Sequence, residues 1–132
     1  MNVKQARNLL KLADFLENQV PAKRFDMGDW ASGPDLSTAP ECGTSACALG
    51  WATVAFPRVL KLVPRSGYSA YVTRRSDGAD DDTIIADMFG IGQELLRGAA
   101  GEIFYGRNCT PKTKAKQIRK LVKDNSLEII RG

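Results

Sequence analysis

Histidine is absent from all 132 residues, and that absence excludes whole classes of chemistry. Ser-His-Asp and Cys-His nucleophile systems, HExxH zinc enzymes and histidine-bearing zinc fingers all need an imidazole. Acid–base work would fall to Asp, Glu, Lys or Tyr, and few of these stand where a buried, pKa-shifted group is expected. Binding rather than catalysis is the expectation, and no catalytic residue is assigned. Cysteine is scarce: Cys42, Cys47 and Cys109 are an odd number without the spacing of a secreted disulfide framework, which fits a reducing compartment. A structural zinc takes four Cys or His ligands, so no metal and no cofactor are expected. Long apolar runs are missing too. The longest, residues 46–56, is well short of the roughly 20 residues that cross a bilayer. No charged-then-apolar leader opens the sequence, so cytoplasmic residence without a membrane partner is expected. With 43% apolar and 26% charged residues, the composition is that of an ordinary globular chain, and its length suits one domain over 1–132.

What is present is organised around the stretch Glu41 to Phe56, which is apolar on every side. Thr44 is placed to cap a helix over about 44–56, and Pro57 to stop it. Between Ala46 and Arg58 there is no charge, so this helix must be surrounded by other elements. The small residues Ala46, Ala48, Gly50, Ala52 and Ala55 admit close neighbours, and Leu49, Trp51, Val54 and Phe56 fill between them.

Residues 2–19 carry Val3, Ala6, Leu9, Leu10, Ala13 and Leu16 at helical spacing, widened by Leu12 and Phe15. They form an amphipathic helix that docks on the central one and ends before Pro21. Residues 22–43 read as an irregular loop pinned by Phe25, Met27 and Trp30; whether it acts as a lid is open. Tyr68 to Thr73 favours a short strand or hairpin near 68–74. The aspartates of Asp77 to Asp82 suit the start of a helix over Thr83 to Phe89 closed by Gly90, and lack the order of a calcium loop. A further turn over Gln93–Arg97 and apolar anchors at Ile103, Phe104 and Tyr105 follow. The last helix opens on Thr110 and Pro111, with Ala115, Ile118, Leu121 and Val122 as its core stripe, and 126–131 is an edge strand or loose end. The fold class expected is mainly α, with α+β as the alternative.

Three groups of residues carry candidate chemistry. Arg58, Lys61, Arg65, Arg74 and Arg75 surround Tyr68 and Tyr71: guanidinium forks grip phosphates, and tyrosine rings, with Trp30, stack on bases. Lys112, Lys116, Arg119, Lys120 and Lys123 form one basic stripe on the last helix. With Lys114 they are six of the nineteen basic residues, enough to account for the net charge of +4 and to offer nucleic acid or an acidic protein an electrostatic footprint. Cys47, near the third position of the central helix, has a thiol that the helix dipole can activate. The segment around it superficially looks like the nucleophile region of papain-like proteases, but the spacing differs and the histidine is missing.

Across most of its length the chain resembles small uncharacterised proteins of bacteriophages and bacteria. The shared pattern is carried by Leu9 to Leu16, Phe25-Asp26-Met27-Gly28-Asp29-Trp30, Cys42 to Ala52 and Thr110 to Arg119. The resemblance implies no established activity or catalytic residue. It implies a phage accessory protein working in the host cytoplasm, and such proteins often counter host defence, one route being to sequester a nucleotide immune signal. The leading expectation is therefore a non-enzymatic protein that holds a small phosphate-bearing ligand through Trp30, Arg58, Arg65, Tyr68, Tyr71, Arg74 and Arg75, with a homo-oligomer compatible. The alternatives are nucleic-acid or acidic-protein binding through the last helix, and a thiol-dependent enzyme using Cys47.

Overall fold

A computed structural model describes residues 1–25, 31–32, 47–64, 69–92, 102–105 and 109–125. Expectations for Met27, Trp30, Cys42, Thr44, Arg65, Tyr68, the 93–97 turn and the 126–131 tail lie outside these residues.

Helix α1 spans Val3–Gln19 and opens on a reciprocal cap. Asn2 Oδ1 accepts from the Gln5 N–H and Gln5 Oε1 accepts from the Asn2 N–H, each at 2.8 Å, satisfying two donors that a helix start leaves open. Its buried stripe is Ala6, Leu9, Leu12, Ala13 and Leu16, one step round from the expected set, leaving Val3 and Leu10 exposed at the edges. The helix contacts the central helix as expected, but its longest seam runs against the last helix of the chain.

The central helix α2 covers Ala48–Ala55 and starts later than expected. Cys47, with extended backbone at φ −78° and ψ −178°, occupies the N-cap position. Apart from Val54, every residue of α2 is buried, which confirms the helix without a polar face. Phe56 ends it, donating its N–H to Ala52 O ahead of Pro57.

Strands β1 (Ala31–Ser32), β2 (Leu60–Pro64) and β3 (Ser69–Arg74) form an antiparallel sheet in the order β1-β3-β2. The hairpin register pairs Leu60 with Arg74, Leu62 with Val72 and Val63 with Tyr71. Leu60 and Val72 are buried and Leu62 packs against the core, so this face of the pleat looks inward. The expected strand near 68–74 is present. The 22–43 stretch, expected to be irregular, holds a 3₁₀ turn at Ala22–Arg24 and β1 on the edge of β3, with Phe25 buried as expected.

Helix α3 (Asp81–Phe89) is capped by Asp80, which accepts from the Thr83 N–H, and carries Asp81 and Asp82 in its first turn. Gly90, at φ 70°, closes it in a left-handed conformation. The carbonyls left open there are met from α1: Gln5 Nε2 donates to Asp87 O at 3.2 Å and Asn8 Nδ2 to Met88 O at 2.9 Å. Helix α4 (Glu102–Tyr105) contributes Ile103 and Phe104 to the core. Helix α5 (Pro111–Asp124) is capped by Thr110, whose hydroxyl oxygen accepts from the Thr113 N–H.

One cluster of buried residues joins these elements. Within it the ring of Phe89 lies 6.0 Å from Phe56 and 5.2 Å from Phe104. The chain is thus mainly helical around a buried central helix, with a small antiparallel sheet at one side. No helix among the described residues is long and apolar enough to cross a membrane.

Candidate functional site

The pleat of β3 separates two arginines that are adjacent in sequence. Arg74 shares the inward parity of Leu60 and Val72, and its guanidinium is fastened twice. Nε and Nη2 donate to the Asp77 carboxylate at 3.0 and 2.7 Å, and Nη1 donates to Asp87 Oδ2 at 2.7 Å. Gly78, at φ 71°, turns the chain so that Asp77 folds back onto Arg74 and also accepts from the Ala79 N–H. Hydrogen bonds from Arg74, and then from Ala79, hold the Asp77 carboxyl down to about 2; the bonds to Asp77, and then to Asp87, raise the Arg74 guanidinium above its ordinary value. Arg74 therefore ties the hairpin to α3, and its donors are spent on carboxylates.

On the opposite parity stand Lys61, Val63, Tyr71 and Thr73, with Arg75 continuing the ladder by donating its N–H to Val59 O at 2.8 Å. Arg75 Nε donates to Pro57 O at 2.8 Å, which braces the guanidinium against the turn that carries exposed Arg58. Its two terminal nitrogens have no protein partner among the described residues. Tyr71 is half-buried along the same face. Thr73 is only 8% exposed, yet its hydroxyl has no hydrogen-bond partner among the described residues. A buried polar atom without a partner costs free energy, and such orphans are few in native proteins.

The structure puts Tyr71 and Arg75 on one strand parity, braces Arg75 against the turn that carries Arg58, and sets Arg74 apart. It adds Thr73, which carrying the strand alternation through from Tyr71 to Arg75 would have found, and gives Lys61 a place beside it. Trp30, Arg65 and Tyr68 lie outside the described residues. This strand face carries cationic donors and an aromatic ring, groups that can hold an anion with an attached ring. A shallow groove of about 370 Å³ between α1 and α2, lined by Lys11, Phe15, Asn18 and Val54 among others, lies elsewhere and holds none of these residues.

The basic stripe of α5 is partly consumed by internal pairs. Arg119 Nη2 donates to Asp14 and to Glu17 of α1, both at 2.8 Å, and Lys120 Nζ to Asp124 at 2.6 Å. Lys112, Lys116 and Lys123 are exposed. Lys114, counted with the basic residues in the sequence, is buried on the core side, where its Nζ donates to Gln117 Oε1 at 2.8 Å. Cys47 is fully buried at the N-cap of α2 rather than at its third position, Cys109 is half-buried, and neither is in a disulfide. Buried packing is poor ground for a nucleophile. No group of three or more metal-ligating side chains occurs among the described residues.

The comparisons with known proteins are silent: no family model, no curated protein and no solved structure matches this chain.

Proposed function

We propose that the protein binds a small phosphate-bearing ligand, a nucleotide-like signal, on the outer face of the β2–β3 hairpin without transforming it. Arg75 and Arg58 supply the grip on phosphate, Lys61 adds charge and Tyr71 offers a surface for a base. The observation that carries this reading is the exposed Arg75 guanidinium, braced at Nε on Pro57 O with its terminal nitrogens unpaired among the described residues, on the strand parity that also carries Tyr71. The histidine-free sequence favours binding over catalysis. The resemblance to small phage proteins supplies the setting: sequestering a host immune nucleotide needs affinity alone.

The test is calorimetric titration of the protein with a panel of cyclic and linear nucleotides, alongside Arg75→Ala and Tyr71→Ala. A charge-assisted contact is worth about 1.5–3 kcal/mol, so Arg75→Ala is expected to weaken the best ligand by roughly 10- to 100-fold. The absence of heat with every nucleotide, or an Arg75→Ala variant that binds as well as the parent, defeats the proposal.

A further inference from the structure

We infer that the exposed face of α5 docks the phosphodiester backbone of a nucleic acid without reading its sequence. This surface is separate from the hairpin face and does not depend on the ligand proposed there.

The geometry begins with the helix itself. Pro111, Lys114, Ala115 and Ile118 are buried, so the opposite side faces water, and there Lys112, Lys116, Lys120 and Lys123 fall at steps of four, four and three. That places the ammonium groups in one line about 16 Å long at 1.5 Å per residue, a length over which a duplex carries on the order of ten phosphates. Arg119, at the edge of this line, is held by Asp14 and Glu17 on α1, and the Lys120 pair with Asp124 is solvent-exposed on both sides. Lys112, Lys116 and Lys123 make no ion pair among the described residues and are the exposed charges of the stripe.

What the face lacks decides the class of partner. The exposed large apolar residues among those described are Val3, Leu10 and Val59, none of them on α5; Leu121 and Val122 are turned against the core. Protein interfaces take their affinity from a desolvated apolar or aromatic centre with charges at the rim, and α5 offers only the rim. A phosphate backbone needs no such centre, because release of its condensed counterions supplies the free energy. The stripe carries no Asn, Gln or Arg free to fork onto a base edge, so binding is blind to sequence.

The test is fluorescence anisotropy of a short labelled DNA duplex against the full-length protein over a range of salt. With three phosphates neutralised, affinity is expected to fall about 40-fold between roughly 50 and 200 mM salt, equally for scrambled duplexes. The Lys112→Glu/Lys116→Glu variant should lose binding while its circular dichroism and thermal midpoint stay at parental values. Lys112→Gln/Lys116→Gln, a milder change, should flatten the salt slope by about two of its three units. No binding at low salt, a salt-independent affinity, or variants that bind as the parent does would overturn the inference. Polyglutamate that displaces the duplex at equal charge would transfer the surface to an acidic protein and overturn it as well.

Discussion

Replacing Thr73 by Val is the sharpest test of whether its hydroxyl stands unsatisfied in the hairpin. The two side chains have nearly the same shape, both are β-branched, and both suit a strand. Their difference is the hydroxyl, which is buried and without a partner among the described residues. Burying a hydroxyl without a hydrogen bond costs about 1–3 kcal/mol by protein mutational data, and exchanging it for a methyl removes that cost while adding apolar burial. The variant should therefore be more stable by about 1 kcal/mol, which for a chain of this size raises the midpoint by roughly 3–6 °C. Thermal and urea unfolding followed by circular dichroism read both quantities. Because the hydroxyl is closed to solvent, nucleotide affinity in calorimetry should stay at the parental value. A variant destabilised by about 1 kcal/mol or more shows that the hydroxyl is already satisfied in solution and refutes the reasoning.

Three further outcomes follow from the fold. Gly90→Ala should cost about 2 kcal/mol or more, since φ 70° is strained for alanine and the added Cβ would meet Gln5 Oε1 at 2.7 Å and Met1 Cα at 3.1 Å; Gly78→Ala, with a similar φ but open space, should cost less, and equal urea midpoints would contradict this account. Phe89→Ala removes the ring that touches Phe56 and Phe104 and should cost about 3–5 kcal/mol; a loss below about 1 kcal/mol in chemical unfolding would mean the cluster collapses freely around the gap. Asp77 has a folded value near 2 against an ordinary 3.8, so its contribution is fully present above 3.8 and is lost as pH falls from there towards 2. Thermal midpoints across that window should fall less steeply for Arg74→Met than for the parent, and parallel curves would refute the coupling.

The elements that could be read from the sequence are those with local causes. Thr110-Pro111 before a periodic run, Asp80 to Asp82 before Thr83, and the uncharged stretch to Phe56 each carry their own start, stop or burial signal, and α5, α3 and α2 stand where those signals point. The errors came where tertiary context decides. β1 is two residues long and is a strand only because β3 offers it an edge. Leu60 to Val63 alternates between Pro57 and Pro64, and its pairing with β3 is what makes it a strand. Cys47 is an extended N-cap whose side chain makes no capping bond, so no residue type announced it. Lys114 lies beside Ala115 on the core side, where a long stem can be covered while its ammonium finds Gln117.

The candidate site was legible as a list of residue types and illegible as a geometry. Arg74 and Arg75 look equivalent in sequence, and a test built on the sequence would remove both together. The pleat gives them different work. Arg74 joins Asp77 of the turn to Asp87 of α3, so its removal leaves two carboxylates facing each other and loosens the hairpin that carries the outer face. Arg75 keeps one bond, from Nε to Pro57 O, and holds its remaining nitrogens outward. The Arg74 variant is therefore expected to bind less well whether or not that guanidinium touches the ligand. Only Arg75 and Tyr71, whose loss leaves the Arg74 network intact, can separate recognition from folding on this face.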